Sequence, residues 1–353
     1  MKKTLTKLLA LTLALLMLLP AAIACGNGDN STDTNNGAQS DQNNSATPDT
    51  DLDIKIYALN GTTALGMAQL MDNVKNNKTD MNYDISLHTA ADAITGAIVS
   101  GESAIAALPT NVAVKLFNKS EGKLQLLALN TLGVLYLLQG EGQNITSLND
   151  LRGKTVYLPG AGSNPEYITA ALLESAGLKV GTDVTLDTTT YNSPDALQTA
   201  VVTGKAALAV LPEPKVTATT TNTQGVKVEV ALDLTAEWEK INGANTLVQG
   251  CLVVNSAFAK AHPAEIAQFL KDYKTSVEYI KAGSEDAINM IVNAGILPKA
   301  AIAQKALPKC NICYIAGNDM KAVMNTFCEK IFAYDKTSIG GKLPTDGFYY
   351  VAN

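Results

Sequence analysis

Two stretches of the chain repeat one another at an offset of 103 residues. Residues 91–109 (ADAITGAIVSGESAIAALP) and 194–212 (PDALQTAVVTGKAALAVLP) align without gaps and are identical at nine of 19 positions. Each stretch predicts a helix, a glycine turn, an apolar strand and a Leu-Pro ending. Ala-rich helix–strand units can resemble one another through composition alone. The shared Gly101 and Gly204 and the Leu-Pro endings nevertheless favour two lobes that are built alike.

Short β-like runs alternate with helical patterns from about residue 53 to the C-terminus. This alternation is typical of α/β units with mostly parallel sheets flanked by helices, so the predicted fold class is α/β with two such lobes. Asn164-Pro165-Glu166 and Ser193-Pro194-Asp195 each supply a capping side chain, a proline and an acid for a helix start. The predicted strands are 53–58, 83–88, 103–108, 124–138, 154–158, 184–187, 206–211, 226–231 and 246–254.

The chain is expected to pass between the lobes twice. Residues 124–138 are long for one strand, and we expect them to leave the first lobe at Asn130-Thr131 and enter the second. Residues 246–254 are expected to return, so that two crossover strands form a hinge. The first lobe then comprises 53–130 and 248–353, and the second comprises 131–247. The apolar stripe between Ile266 and Ile280 is expected to pack on the first lobe.

The N-terminal segment has the layout of an export signal. Lys2, Lys3 and Lys7 precede an apolar run that ends before Pro20 and is too short to span a bilayer. Cys25 directly follows small residues, which resembles the lipobox of bacterial lipoproteins and predicts a signal peptide over residues 1–24. An ordinary signal peptide with an incidental cysteine is the alternative. Acyl chains such as palmitate on Cys25 would anchor the protein to a membrane.

The segment after Cys25 is predicted to be a flexible tether. Residues 26–50 contain no Val, Ile, Leu, Met or aromatic residue, so they cannot bury enough apolar surface to order themselves. The tether is assigned to residues 25–52. Without the three signal lysines, 24 basic and 33 acidic residues give the mature chain a net charge of −9. This charge argues against a nucleic-acid partner.

Several segments together resemble the substrate-binding proteins of ABC importers, in particular the two-hinge group that binds taurine, alkanesulfonates, nitrate and thiamine precursors. Their order and spacing carry the resemblance, which covers nearly the whole body of the chain. The segments are ALNGTTALGMAQLM (58–71), AALPTNVA (106–113), SLNDLRGKTVYLPGAGSNPEYITAALLESAGL (147–178), AVLPEP (209–214) and SIGGKLPTDGFYY (338–350).

The resemblance implies a periplasmic-binding-protein fold of type II that closes on a small molecule between its lobes. It also implies an ABC permease and ATPase as partners, a location on the extracytoplasmic face of the cell membrane and a monomer without a cofactor. A lipid-anchored sensor domain would have the same sequence features. Eukaryotic thiamine-pyrimidine synthases share the broad fold, but this chain lacks their cysteine-rich motif. We therefore expect a binding protein and not an enzyme.

Candidate ligand-binding residues follow the predicted strands, where α/β sheets bind their ligands. Glycines let the backbone approach a ligand, and the hydroxyl and amide groups offer uncharged hydrogen bonds. Tight-turn and capping roles are the alternative for both glycine loops. The candidates are Asn60, Gly61, Thr62, Thr63, His88, Thr89, Thr110, Asn111, Gly160, Gly162, Ser163, Asn164, Tyr191, Asn192 and Glu213.

Two charged residues, Arg152 and the candidate Glu213, bear on the class of ligand. Arg152 is the chain's only arginine and lies in a predicted turn, so a bidentate grip on a sulfonate or nitrate is not expected in the cleft. Glu213, between two prolines, could accept a hydrogen bond from a ligand amine, or it could be an ordinary surface acid. A neutral or amine-bearing metabolite, such as a pyrimidine precursor of thiamine, is therefore favoured.

The remaining cysteines and histidines predict no metal site. Cys310-Asn311-Ile312-Cys313 lacks a second pair or a nearby histidine, and the two histidines of the chain are far apart in sequence. Export permits disulfides, and Cys251–Cys310 is the preferred pairing among three, with free thiols as the alternative.

Overall fold

The computed structural model of the protein describes residues 47–222 and 224–351. The predicted signal peptide, Cys25 and all but the last residues of the predicted tether lie outside the described residues. None of the helices in the described ranges is long and apolar enough to cross a membrane.

Eleven strands in the described ranges form two sheets. In chain order they are β1 Ile54–Leu59, β2 Tyr83–His88, β3 Ile105–Pro109, β4 Leu124–Leu132, β5 Leu135–Gly140, β6 Thr155–Tyr157, β7 Thr185–Asp187, β8 Leu208–Pro212, β9 Val228–Asp233, β10 Val248–Asn255 and β11 Ile312–Ile315. The first sheet has the order β11-β4-β10-β3-β1-β2, and the second has the order β7-β6-β8-β5-β9.

Thirteen α-helices are present in the described part of the chain, and they cover the two sheets. They are α1 Thr62–Leu65, α2 Ala68–Lys75, α3 Ala91–Ser100, α4 Thr110–Lys119, α5 Asn164–Ser175, α6 Pro194–Val202, α7 Lys215–Thr220, α8 Leu234–Asn242, α9 Ser256–Ala261, α10 Pro263–Lys281, α11 Glu285–Asn293, α12 Ala300–Ala306 and α13 Gly317–Tyr334. Short 3-10 helices lie at Leu148–Leu151, Leu307–Lys309, Lys336–Ile339 and Asp346–Phe348.

The repeated stretches adopt the same local structure. The first forms α3 and β3, the second forms α6 and β8, and β3 and β8 lie inside different sheets. Gly101 and Gly204 both have positive φ, 83° and 75°, which explains why glycine ends each helix before its strand. The two-lobed α/β fold is therefore confirmed, with one lobe built on each sheet.

The sheets are mixed, although the sequence predicts mostly parallel ones. Within the first sheet β1 pairs in parallel with β2 and β3, but β10 is antiparallel to both β3 and β4. Within the second, β5 is antiparallel to β8 and β9, while β6 is parallel to β7 and β8. Each of these antiparallel pairs includes β4, β5, β9 or β10, the strands that flank the passages between lobes, where the chain no longer follows a strand–helix–strand path.

The two passages between lobes differ from each other. Predicted strand 124–138 breaks at Gly133-Val134 into β4 and β5, one in each sheet. The return prediction for 246–254 was wrong, because β10 lies wholly in the first sheet. Residues 234–247, which include α8, make that passage instead. An unpredicted strand, β11, extends the first sheet beyond β4.

The C-terminal helices pack as the apolar stripe predicts. Ile266, Phe269 and Tyr273 of α10 are buried in one cluster with residues of β1 and α2 in the first lobe. A second cluster is continuous between the lobes, because α13 contacts β4 in the first lobe and α5 in the second. The lobes therefore share apolar packing as well as chain connections.

The four cysteines in the described ranges are buried free thiols. The Cys251–Cys310 disulfide expected from the sequence is not formed, and the two residues belong to separate hydrophobic clusters. The Cys251 thiol faces the Leu108 carbonyl at 3.5 Å, and that of Cys313 faces the Leu129 carbonyl at 3.6 Å. They act as small apolar side chains in the core.

Candidate functional site

The first residues of β10 are the meeting point of polar side chains from both lobes. Thr110, at the start of α4, donates its hydroxyl to the Val248 carbonyl at 2.9 Å. Asn164, at the start of α5 in the other lobe, donates its Nδ2 to Thr110 Oγ1 at 3.1 Å and to the Gln249 carbonyl at 3.4 Å. A hydrogen-bonded chain thus links the lobes at this point.

A second hydrogen bond crosses between the lobes beside the first. Asn111 Nδ2 donates to the Gly162 carbonyl at 3.1 Å. Gly162 belongs to the loop before α5, where its positive φ of 72° and the neighbouring Gly160 let the backbone turn tightly. We call Thr110, Asn111, Gly162, Asn164 and Gln249 the interlobe amide cluster.

The interlobe amide cluster is almost entirely shielded from solvent. Relative exposure is 0% for Thr110, 1% for Asn111, 4% for Asn164 and 9% for Gln249. Within the described residues, Asn111 Oδ1, Asn164 Oδ1 and Gln249 Nε2 have no hydrogen-bond partner. Leaving a buried polar atom unpaired costs about 1–3 kcal/mol, so three such atoms in one place call for an explanation.

The first lobe adds a polar wall next to this cluster. Asn130 Nδ2 donates to the Thr63 carbonyl at 3.1 Å, and Thr131 Oγ1 faces the Thr62 carbonyl at 3.4 Å and Asn130 Oδ1 at 3.0 Å. Gly250 of β10 lies directly against these side chains. The sequence predicts only a crossing point at Asn130 and Thr131 and does not single out Gln249, although polar residues inside otherwise apolar strands are a readable signal.

The other first-lobe candidates lie at the carboxyl ends of β1 and β2. Asn60 is exposed and its Nδ2 lies 3.5 Å from the Gly295 carbonyl, and Gly61 beside it is half-buried with a positive φ of 124°. His88 packs on the Tyr57 ring at 4.4 Å between centroids, and Thr89 is exposed. They are not among the residues that bond across the lobes.

The remaining second-lobe candidates surround the loop before α5. Ser163 Oγ donates to the Gly160 carbonyl at 2.8 Å, and a Cβ on Gly160 would approach the Asn192 carbonyl at 3.2 Å. Tyr191 packs edge-on against Tyr157 with ring centroids 5.3 Å apart. These contacts shape the loop that carries Gly162 toward the first lobe.

Asn164 does not cap its helix as the sequence predicts. It is the first residue of α5, with Ser163 in the extended N-cap position. Its side chain is therefore free to reach Thr110 in the other lobe. The parallel prediction at α6 is confirmed, because Ser193 Oγ accepts the Ala196 amide at 3.2 Å.

Glu213 is a buried capping residue. Its Oε1 accepts the Thr217 hydroxyl at 2.9 Å and its Oε2 accepts the Thr217 amide at 3.1 Å, in the first turn of α7. Its relative exposure is 1%, so it is not the exposed surface acid considered above. Burial raises the pKa of Glu213 above its ordinary value of 4.5, against the opposing effect of the Thr217 hydrogen bonds.

The raised pKa of Glu213 predicts a pH-dependent contribution to stability. Glu213 holds its proton more tightly in the folded protein than in the unfolded chain. The folded protein therefore loses stability as the pH rises from about 4.5 through the folded-state pKa of Glu213. Glu213→Gln cannot ionise, so we expect wild type to lose stability relative to this variant between pH 4 and pH 7. Urea unfolding at both pH values measures the difference, and an unchanged difference contradicts the prediction.

One charged side chain contacts the interlobe amide cluster, because Glu166 Oε2 accepts the Gly162 amide. The arginine of the chain lies apart from the cluster. Arg152 forms an ion pair with Asp183, and 58% of its side chain is exposed. Within the described ranges, no group of three or more His, Cys, Asp or Glu residues is placed to hold a metal ion. The cluster thus offers uncharged hydrogen-bonding groups.

Comparison with known proteins gives a partial family match and several structures with the same fold. The family described as "NMT1/THI5 like" matches residues 122–287, slightly under half of the chain. Comparison of the sequence with curated proteins found no match. Among solved structures, an ABC transporter protein from Parabacteroides distasonis is 22% identical with a TM-score of 0.71, over 86% of this chain and 100% of that one.

Two further solved structures have the same fold. The periplasmic aliphatic sulphonate binding protein SsuA from Escherichia coli is 15% identical with a TM-score of 0.68, over 85% of this chain and 92% of its own. A ligand binding component of an ABC-type import system from Staphylococcus aureus, with zinc bound, is 14% identical with a TM-score of 0.64, over 84% and 96%. The resemblance drawn from the sequence is confirmed at the level of the fold.

Proposed function

We propose that the protein is the solute-binding component of an ABC importer, which captures a small organic molecule between its lobes and delivers it to a membrane permease and its ATPase. The observation that carries this proposal is the interlobe amide cluster. Asn111 and Asn164 bond across the lobes while each keeps a buried carbonyl oxygen unpaired within the described residues. A site with this arrangement closes around a ligand and needs no catalytic group.

The division into lobes supports the proposed closure. We place the first lobe at residues 53–130 and 248–353 and the second at 131–247. The start of β10 at Val248 supports the second limit, while β4 continues in the first sheet to Leu132 and so extends the first lobe two residues beyond 130. A ligand held by both lobes would stabilise the closed arrangement, because it binds that arrangement better than an open one.

The uncharged character of the cluster supports a neutral or amine-bearing ligand, with a pyrimidine precursor of thiamine as one member of that class. Arg152 is committed to Asp183 at the surface. Glu213 stays a candidate for an amine contact, although both of its oxygens already accept bonds from Thr217. In the proposed function, the protein acts as a monomer, needs no cofactor and releases its ligand chemically unchanged.

The experiment is a thermal-unfolding screen of the full mature protein against pyrimidines, amines, taurine and nitrate, with small-angle X-ray scattering on each hit. A true ligand at 100 times its Kd should add about 2.7 kcal/mol to the free energy of unfolding. In the scattering experiment, the protein with ligand should also show a narrower distribution of molecular sizes than the protein without ligand. Chemical conversion of a hit by the protein would contradict a pure binding role.

We also propose that Cys25 is acylated and anchors the protein at the extracytoplasmic face of the cell membrane. The basic start, the apolar run and the small residues before Cys25 support this. Wild type should sediment with membranes, and Cys25→Ser should lose its acyl chains and be found in the soluble extracytoplasmic fraction. Cys251→Ser is the matched control, since it changes a buried thiol of the core. Membrane attachment of the Cys25→Ser protein would overturn the anchor.

A further inference from the structure

The orientation of the Asn164 amide is fixed by its partners. The Thr110 hydroxyl gives its only proton to the Val248 carbonyl, so it can only accept from Asn164. The Gln249 carbonyl is likewise an acceptor, and it also faces Asn164 Nδ2. The NH2 group must therefore point at these atoms, which leaves Asn164 Oδ1 as a buried acceptor without a partner in the described chain.

The Asn111 amide is fixed in the same way from the opposite lobe. Its Nδ2 faces the Gly162 carbonyl at 3.1 Å, and a carbonyl can only accept. Asn111 Oδ1 is therefore a second buried acceptor without a partner in the described chain, and Gln249 Nε2 is a buried donor in the same state. Both asparagines and Gln249 are at least nine-tenths buried.

We infer that these three amides are the specificity-determining groups for an uncharged ligand with N–H donors. Asn111 and Asn164 would each accept an N–H from the ligand, and Gln249 would donate to one ligand acceptor. Primary carboxamides, ureas and amino-heterocycles have this set of groups. The inference rests on the proposed function and narrows its ligand to one class.

The same arrangement disfavours anions. Two carbonyl oxygens present negative partial charge to the ligand, and a sulfonate or carboxylate has no N–H with which to satisfy them. The positive end of α5 is already matched, because Glu166 accepts the Gly162 amide. The chain's only arginine is paired with Asp183 elsewhere. Discrimination against anions is therefore built into the site by unsatisfied acceptors.

The test uses ligand pairs that share one scaffold. Nicotinamide and nicotinate, and benzamide and benzoate, differ in replacing two N–H donors by a charged oxygen. 4-Amino-5-hydroxymethyl-2-methylpyrimidine represents the amino-heterocycles, and ethanesulfonate and nitrate represent the anions. Calorimetry and thermal unfolding of the mature protein should show at least one uncharged probe binding about ten-fold or more tightly than its anionic counterpart.

Two kinds of variant test the named atoms. Asn111→Leu and Asn164→Leu remove the acceptors while keeping the number and branching of the side-chain heavy atoms, and each should weaken the uncharged probe about ten-fold or more. Gln249→Glu replaces the Nε2 donor by an acceptor oxygen. This variant should also weaken binding of the uncharged probe, and it keeps the test open where a leucine variant unfolds. Asn289→Leu on α11, an exposed amide in the first lobe, should leave affinity unchanged.

The outcomes separate this inference from the proposed function. Tighter binding of ethanesulfonate, nitrate or a carboxylate, with unchanged affinity in the amide variants, overturns the inference and leaves a solute-binding protein of another specificity. A panel in which no uncharged probe binds also overturns the inference. Failure of every small molecule, charged or not, to stabilise the protein counts against the proposed function itself.

Discussion

Gly250→Ala is expected to lower the free energy of unfolding by about 2–3 kcal/mol and to abolish ligand binding. A Cβ at this position would lie 2.5 Å from Asn130 Oδ1, 2.6 Å from Thr63 Cγ2 and 3.0 Å from Thr131 Oγ1. The side chains of Asn130 and Thr131 are buried and hydrogen-bonded, so they cannot move aside without losing those bonds. The start of β10 would shift and carry Gln249 with it.

Urea unfolding and ligand calorimetry on the purified variant measure the two effects. Gly96→Ala in α3 is the matched control, since nothing lies within 4 Å of the added carbon. A glycine in a helix interior costs about 0.5–1 kcal/mol relative to alanine, so this control should gain stability by that amount. If Gly250→Ala kept wild-type stability and affinity, the tight packing of β10 against the wall of the site would be refuted.

Gly133→Ala is expected to cost about 2–3 kcal/mol as well, by forcing apart the two passages between lobes. Gly133 lies between β4 and β5, and its missing Cβ faces the side chain of Thr235 at the start of α8. Even the Thr235 Cβ would be only 2.8 Å away, and its methyl and hydroxyl groups would be closer still. The Gly133 carbonyl also accepts a hydrogen bond from Asn311 Nδ2, which ties β11 to the same point.

A double-mutant cycle with Thr235→Ala isolates this contact. Thr235 Oγ1 has no hydrogen-bond partner in the described chain, so removing it alone should cost little. The double variant should recover at least about 1 kcal/mol of what Gly133→Ala loses. Independent, additive effects of the two changes would show that the passages do not touch in solution.

Local patterns in the sequence were sufficient to predict much of the fold. The repeat at residues 91–109 and 194–212 predicted two similar helix–strand units, and the structure forms α3–β3 and α6–β8 there. Alternation and turn residues also located β2 at its observed limits, 83–88. Such features depend on residues close in sequence, where glycine and proline restrict the backbone directly.

The arrangement of the site depended on contacts between distant parts of the chain. Asn111 and Gly162 are 51 residues apart, and Thr110 and Val248 are 138 apart. No local pattern shows that Asn164 would leave its cap position to reach Thr110, or that Gln249 would be buried beside them. Glu213 was ambiguous for the same reason, because burial by neighbouring elements is set by packing and not by the flanking prolines.

Helix α13 has a mechanical consequence for closure. It follows β11 in the first lobe, yet it packs against α5, whose first residue is Asn164. We expect the proposed closure to pivot at this contact, which would move the start of α5 toward or away from Asn111. Such a pivot would let the proposed site exchange solvent for ligand while most of the apolar packing shared by the lobes stays in place.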